Sequence, residues 1–194
     1  MELLKNEKRI LDEYLKDLSV EKILNMPLAG DQDKLKYIQQ MQILAGVFFH
    51  SNNHAGFLYL SLRALRIIFE HGMIASACSC LTTCAYLLIG HWEEYEPARI
   101  LGEAGYVLSR KYGRQSGLAE LQYGGLILFF KKHLRGSFEI LRAAYDSDVK
   151  NGEYLYAALA LSHLHANNIC SGKEINAALA ELDNDIPFLV RTRI

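Results

Sequence analysis

Proline is nearly missing from this sequence: three in 194 residues, at Pro27, Pro97 and Pro187. Its ring removes a backbone donor and fixes φ, so its scarcity favours helices joined by short connections. Massed positive charge is missing as well. Lys and Arg number 21 against 22 Asp and Glu, a net charge of −1, and no basic run exceeds a few residues. A nucleic-acid surface needs clustered cations, which argues against that partner class. Strand signals are absent, since no clean alternating run is bounded by hairpin turns. Four cysteines are too few for a secreted disulfide framework in a chain of this length. Three of them, Cys78, Cys80 and Cys84, crowd into one apolar segment, which suits reduced thiols in a cytoplasmic protein. The stretch Met1 to Lys8 is charged and lacks the apolar core of a signal peptide, so secretion by that route is not expected.

The patterns that carry chemistry are lacking too. No phosphate-binding glycine loop, dinucleotide fingerprint, zinc-protease helix or nucleophile elbow occurs. The glycines of "GLAELQYGGLILFF", from Gly117, sit inside a helical pattern with no strand before them, so they are not a phosphate loop. No paired catalytic carboxylates stand out. The sequence therefore leads us to expect no catalytic residue, no cofactor and no metal ligand.

What is present is helical periodicity. Leu35, Ile38, Met41, Ala45 and Phe48 recur at steps of three and four, as do Phe57, Leu58, Leu62, Leu65, Ile68 and Phe69. The pattern predicts helices over 3–17, 20–26, 32–50, 54–71, 74–89, 94–112, 116–132, 135–151, 153–170 and 173–184. Pro97, with Glu93, Glu94 and Glu96 around it, suits a helix start. Two stretches carry no charge, Met73 to Gly90 and Tyr154 to Ser171. Each approaches the length of a membrane span, but serines, threonines, histidines and asparagines dilute them and no flanking aromatic belt accompanies them. They read as buried central helices, and no membrane partner is expected.

Punctuation adds a repeat. Gly72, Gly113 and Gly152 each close a charged amphipathic helix and precede a mostly apolar one, at intervals of ~40 residues, the scale of helix-pair repeats. "ARILGEAGYVLSRKYG" from Ala98 aligns with "SFEILRAAYDSDVKNG" from Ser137. The expected architecture is all-α: a right-handed α-solenoid resembling tetratricopeptide repeats, one domain over residues 1–194. About four antiparallel helix pairs follow an N-terminal capping region, residues 1–30. Helices 74–89, 116–132 and 153–170 are expected to form the buried layer. Helices 54–71, 94–112 and 135–151 would form the charged outer one.

A few residues stand out as site candidates. Trp92 is the single tryptophan and lies with Tyr95 in the turn "GHWEEYEPA". Tryptophan is frequent at interaction hot spots, although plugging the junction between two helix pairs suits Trp92 better. "SHLHANN", Ser162 to Asn168, looks superficially like a histidine-kinase phosphoacceptor box. It lacks the acidic residue and the Arg-Thr-Pro that such a box needs, so His163 and His165 read as core or groove residues. Cys78, Cys80, Cys84 and Cys170 are candidate redox thiols. A zinc site would need a second converging pair of ligands, which is absent, and small core residues are the plainer reading. A peroxide-responsive thiol would need exposure and a lowered pKa.

The run "ALRIIFEHGMIASACSCLTTCAYLLIGHWEEYEPARILGEAGYVLSRKYG" and the later "SGKEINAALAELDNDI" carry a family resemblance. From about Leu35 to Ile186 the chain resembles the tetratricopeptide-like helical region of very large hybrid histidine kinases. In those proteins a Ser/Thr-kinase-like domain and a AAA/STAND-type ATPase precede the region, and a GAF domain and histidine kinase follow it. The resemblance implies a non-catalytic interaction and regulatory scaffold within a stress-signalling, two-component phosphorelay protein. Its partners would be proteins, including the flanking domains, and homo-oligomerisation stays open. "CSCLTTCAYLL" is richer in cysteine than the resemblance leads one to expect, which keeps thiol-based peroxide sensing as the alternative. An enzyme using the apolar interior as a substrate pocket is a third and weaker reading.

Overall fold

A computed structural model describes residues 2–74, 76–112 and 117–192, leaving aside the side chains of Gln32 and Leu35. Among the described residues the fold is all-helical, with 83% of them in helices or helical turns and ten α-helices. Among the described residues there is no strand, only one parallel bridge between Leu28 and Met73. Helix α1 spans Glu2–Leu15, α2 Val20–Leu24, α3 Gln32–His50, α4 His54–His71, α5 Ala77–Trp92 and α6 Tyr95–Lys111. After them come α7 Leu118–Gln122, α8 Phe138–Asn151, α9 Tyr154–Cys170 and α10 Ile175–Thr192. Two compact units are formed, Met1–Leu108 and Ser109–Ile194, and the division falls inside α6 rather than at a linker.

In the first unit α4 is the central element, packing against α1, α3 and α5. It buries Leu58, Leu62, Ala64, Leu65, Ile67 and Ile68. It was expected in an outer layer because of Arg63, Arg66 and Glu70, but the two arginines turn to α1 while Glu70 stays exposed. Glu7 of α1, 3% exposed, is bound by Arg66 and lies 3.4 Å from Arg63. Arg66 also holds Glu70. Lys8, beside Glu7, pairs with Asp12 and, at 2.7 Å, with Glu94 of the α5–α6 turn. Residues 1–30 thus attach themselves to α4 by paired charges around a core of Leu11, Leu15 and Ile23. The chain then returns along the end of α4, where Ala29 N–H bonds Met73 O (2.9 Å) and Met73 N–H bonds Pro27 O (2.7 Å).

Two of the three punctuating glycines have the backbone their position demands. Gly72 (φ +107°) and Gly152 (φ +77°) end α4 and α8 in the positive-φ region where a Cβ is strained. Gly113 lies outside the described residues.

The second unit packs α8 between α7 and α9, and α9 against α10. Its core joins Leu121, Leu141, Ala144, Ala160, Leu161 and Leu164, with Phe188 and Leu189 of α10 packed on it. One expected helix, 116–132, is broken differently. Only Leu118–Gln122 is α; Tyr123–Ile127 is a π turn and Leu128–Phe130 a 3₁₀ turn. Close packing is the cause. A Cβ on Gly124 would sit 3.1 Å from Ile140 of α8, and one on Gly125 would sit 2.9 Å from the His163 ring of α9. A second difference is at the end. Helix α10 was expected to stop at 184 but continues past Pro187 to Thr192. The lost bond at Pro187 is offset by Phe188, whose ring meets Tyr145 at 5.2 Å and Tyr154 at 6.2 Å.

A buried carboxylate closes this unit. Asp148 near the end of α8 is fully buried and accepts the Gly117 N–H at 2.6 Å through Oδ1. No described residue donates to Oδ2. Burial, with the Glu153 and Glu120 carboxylates nearby, raises its pKa to about 6 against the Gly117 bond.

Candidate interaction surface

Helix α9 brings together most of what the sequence singled out in this unit. Its residues Leu155, Leu159, Ser162, Ala166 and Ile169 are all exposed and recur at steps of four and three, a single stripe on the helix. Ile169 is 60% exposed. The reading of 153–170 as a fully buried helix is therefore corrected: its opposite face, with Ala157, Ala160, Leu161 and Leu164, forms the core, while this stripe faces water. An uncharged helix leaves no sequence mark to separate its wet face from its dry one.

The polar residues of "SHLHANN" mark the edges of the stripe. On one flank His163, half-buried, rests on Gly125 of the π turn, and burial lowers its pKa, favouring the neutral ring. On the other flank His165 Nε2 contacts Asp185 Oδ2 of α10 at 2.9 Å, and Asn168 Nδ2 donates to Glu181 Oε2 at 3.0 Å. Asn167 Nδ2 donates to Ser137 Oγ at 2.9 Å. These side chains fix α9 between its neighbours. The stripe is thus bounded by the π turn on one side and α10 on the other.

At the C-terminal end of the stripe lies a basic corner. Phe129 and Phe130, both exposed, have ring centroids 4.6 Å apart. Lys131, Lys132, His133 and Arg135 follow and are exposed. His133 Nδ1 accepts the Arg135 N–H at 3.2 Å, starting the 3₁₀ turn Leu134–Ser137. The Arg135 guanidinium reaches Ser171 O at 3.5 Å, over the end of α9.

The other sequence candidates lie in different surroundings. Trp92 ends α5 half-buried, with Lys8 Nζ 5.3 Å from its ring centroid. That Lys8 also binds Asp12 and Glu94 makes Trp92 a joint between α1 and the α5–α6 turn. Tyr95 opens α6 and is exposed. Trp92 and Tyr95 share a turn of the first unit, whereas His163 belongs to the second. Cys78, Cys80 and Cys84 are buried, and Cys170 is exposed. The Cys84 thiol is 3.2 Å from Ser61 O, and its pKa is pushed well up, by burial first and by Cys80 second. A thiolate is the reactive form, so this environment suppresses oxidation. Among the described residues, no group of three His, Cys, Asp or Glu side chains is placed to hold a metal ion. None of the helices is long and apolar enough to cross a membrane, again among the described residues.

Comparison with family models, curated proteins and solved structures finds no match to this chain. The surface itself carries the functional reading.

Proposed function

We propose that this chain is a non-catalytic protein-interaction scaffold that engages its partner through the exposed α9 stripe. The observation behind this is a helix of 17 residues without one charge that leaves Leu155, Leu159 and Ile169 in water. A helix apolar on both faces covers a partner on the second, since exposed apolar stripes of this kind mark association surfaces. Rigid edges favour the same use: His163, His165 and Asn168 are each committed to a neighbouring element, so the stripe is pre-organised for binding.

The resemblance noted in the sequence supplies the wider setting. In this proposal the helix pairs belong to a right-handed, tetratricopeptide-like solenoid. It acts in the cytoplasm inside a histidine kinase of a two-component phosphorelay, holding the ATPase and GAF–kinase portions in a defined geometry. The thiol-sensing alternative is disfavoured by the burial of three of the four cysteines.

The test places a photo-crosslinking residue at position 159 and, as a control, at the exposed Lys5 of α1. Crosslinks to the flanking kinase segments or to a partner protein are expected at 159 and not at 5. Leu159→Glu should remove partner binding while leaving the melting temperature unchanged. Equal crosslinking at both positions, or full binding by Leu159→Glu, would refute the proposal.

A further inference from the structure

Resting on the scaffold reading above, we propose that the corner Phe129–Arg135 is the docking site for an acidic segment of the partner protein bearing leucine or phenylalanine side chains. Charge gives the sign of the occupant. From Gln122 to Ser137 there is no Asp or Glu, while Lys131, Lys132 and Arg135 crowd into five positions, all exposed. Among the described residues no carboxylate pairs with Lys132 or Arg135, in contrast to Lys8, Arg66, Arg99 and Lys173. Arg135 is held over the end of α9 by its contact with Ser171 O, so its fork is oriented before a carboxylate arrives.

The apolar part of the occupant follows from what adjoins those cations. Phe129 and Phe130 stand immediately before Lys131, and Ile169 stands beside Ser171, the residue Arg135 contacts. A segment that puts carboxylates on the cations places its own apolar side chains on the phenyl rings and on the end of the stripe. A peptide fits better than an anionic lipid surface. The corner offers three cations, fewer than the roughly four to eight that a polybasic lipid-binding cluster gathers.

The experiment follows fluorescence anisotropy of a labelled peptide of about a dozen residues that alternates Asp or Glu with Leu or Phe. Its counterpart carries Lys at every acidic position, and phosphatidylserine–phosphatidylcholine vesicles form the third arm. Binding of the acidic peptide, weakening with added salt, is expected, with none to the basic counterpart. The double substitution Lys132→Glu, Arg135→Glu should lower the affinity about tenfold or more. Both side chains are exposed, so unchanged circular dichroism is expected and serves as the folding control. Single substitutions to Gln at the same positions give a milder second series, about threefold each. Equal affinity in the double variant, equal binding of the basic peptide, or binding to vesicles but not peptide would overturn the proposal. Crosslinking at position 159 separates the two readings. If it persists while the acidic peptide fails to bind, the corner is wrong and the scaffold reading stands; if it is lost while the peptide binds, the reverse holds.

Discussion

Among single residues, Asp148 has the clearest consequence. Its folded pKa of about 6 lies above the ordinary value near 3.9 of an unfolded aspartate. The folded state therefore holds the proton more tightly, and the protein loses stability as pH rises from about 4 to about 6. Two units correspond to roughly 3 kcal/mol, fully lost above the folded pKa. Asp148→Asn keeps an acceptor for the Gly117 N–H and removes the charge. Urea unfolding should find this variant more stable than the parent by ~1–2 kcal/mol at pH 7.5, with the advantage gone at pH 4. Loss of stability at both pH values alike would contradict this account. His163 works in the other direction. Its pKa is lowered by burial, so its contribution is full above about 6.5 and falls away as pH drops below that. With Asp148 replaced, this weaker acid-side loss should become visible in the same titration.

At the level of the helices, α3 and α4 fall on the residues their periodicity predicts, 32–50 and 54–71. Their apolar positions repeat without interruption, and caps close them: Asp31 accepts from Asp33 and Lys34, and Asn53 from Gly56. The segment 118–130 was illegible because its irregularity comes from α8 and α9, which approach through Gly124 and Gly125. Gly125→Ala tests that cause. The new methyl must displace the His163 ring, and a cost of about 1–3 kcal/mol is expected in urea unfolding. The end of α10 was missed because proline normally stops a helix, and the aromatic contacts of Phe188 that carry it onward are made by residues far away in sequence. Pro187 itself is exposed. Pro187→Ala should restore a backbone donor and raise stability by ~1–2 kcal/mol, reduced from the full interior cost by the gain in unfolded-chain freedom. A lower melting temperature in this variant would show that the ring, not the helix, is what the position requires. The interaction surface was half legible. The run without charge was visible, but not which of its faces is wet.

Across the whole molecule, two compact units give stability a regional character. Glu7 is the strongest probe of the first. Glu7→Ala leaves partly buried Arg66 with Glu70 alone and should cost about 1–3 kcal/mol. Hydrogen exchange should then rise over α1 and α4 and stay unchanged over α8 and α9; a uniform rise would mean that the two units unfold as one. The π turn at Tyr123–Ile127 has a consequence of another kind. It holds one residue more per turn than an α-helix, so it acts as a phase shift on everything that follows. With straight α winding through this segment, Phe129 and Phe130 would arrive at a different angle, and the pair of rings would point elsewhere. A one-residue deletion at Gly124 or Gly125 would therefore change the outward face of the chain without touching any residue on it. The length of the segment, as much as its composition, writes the surface.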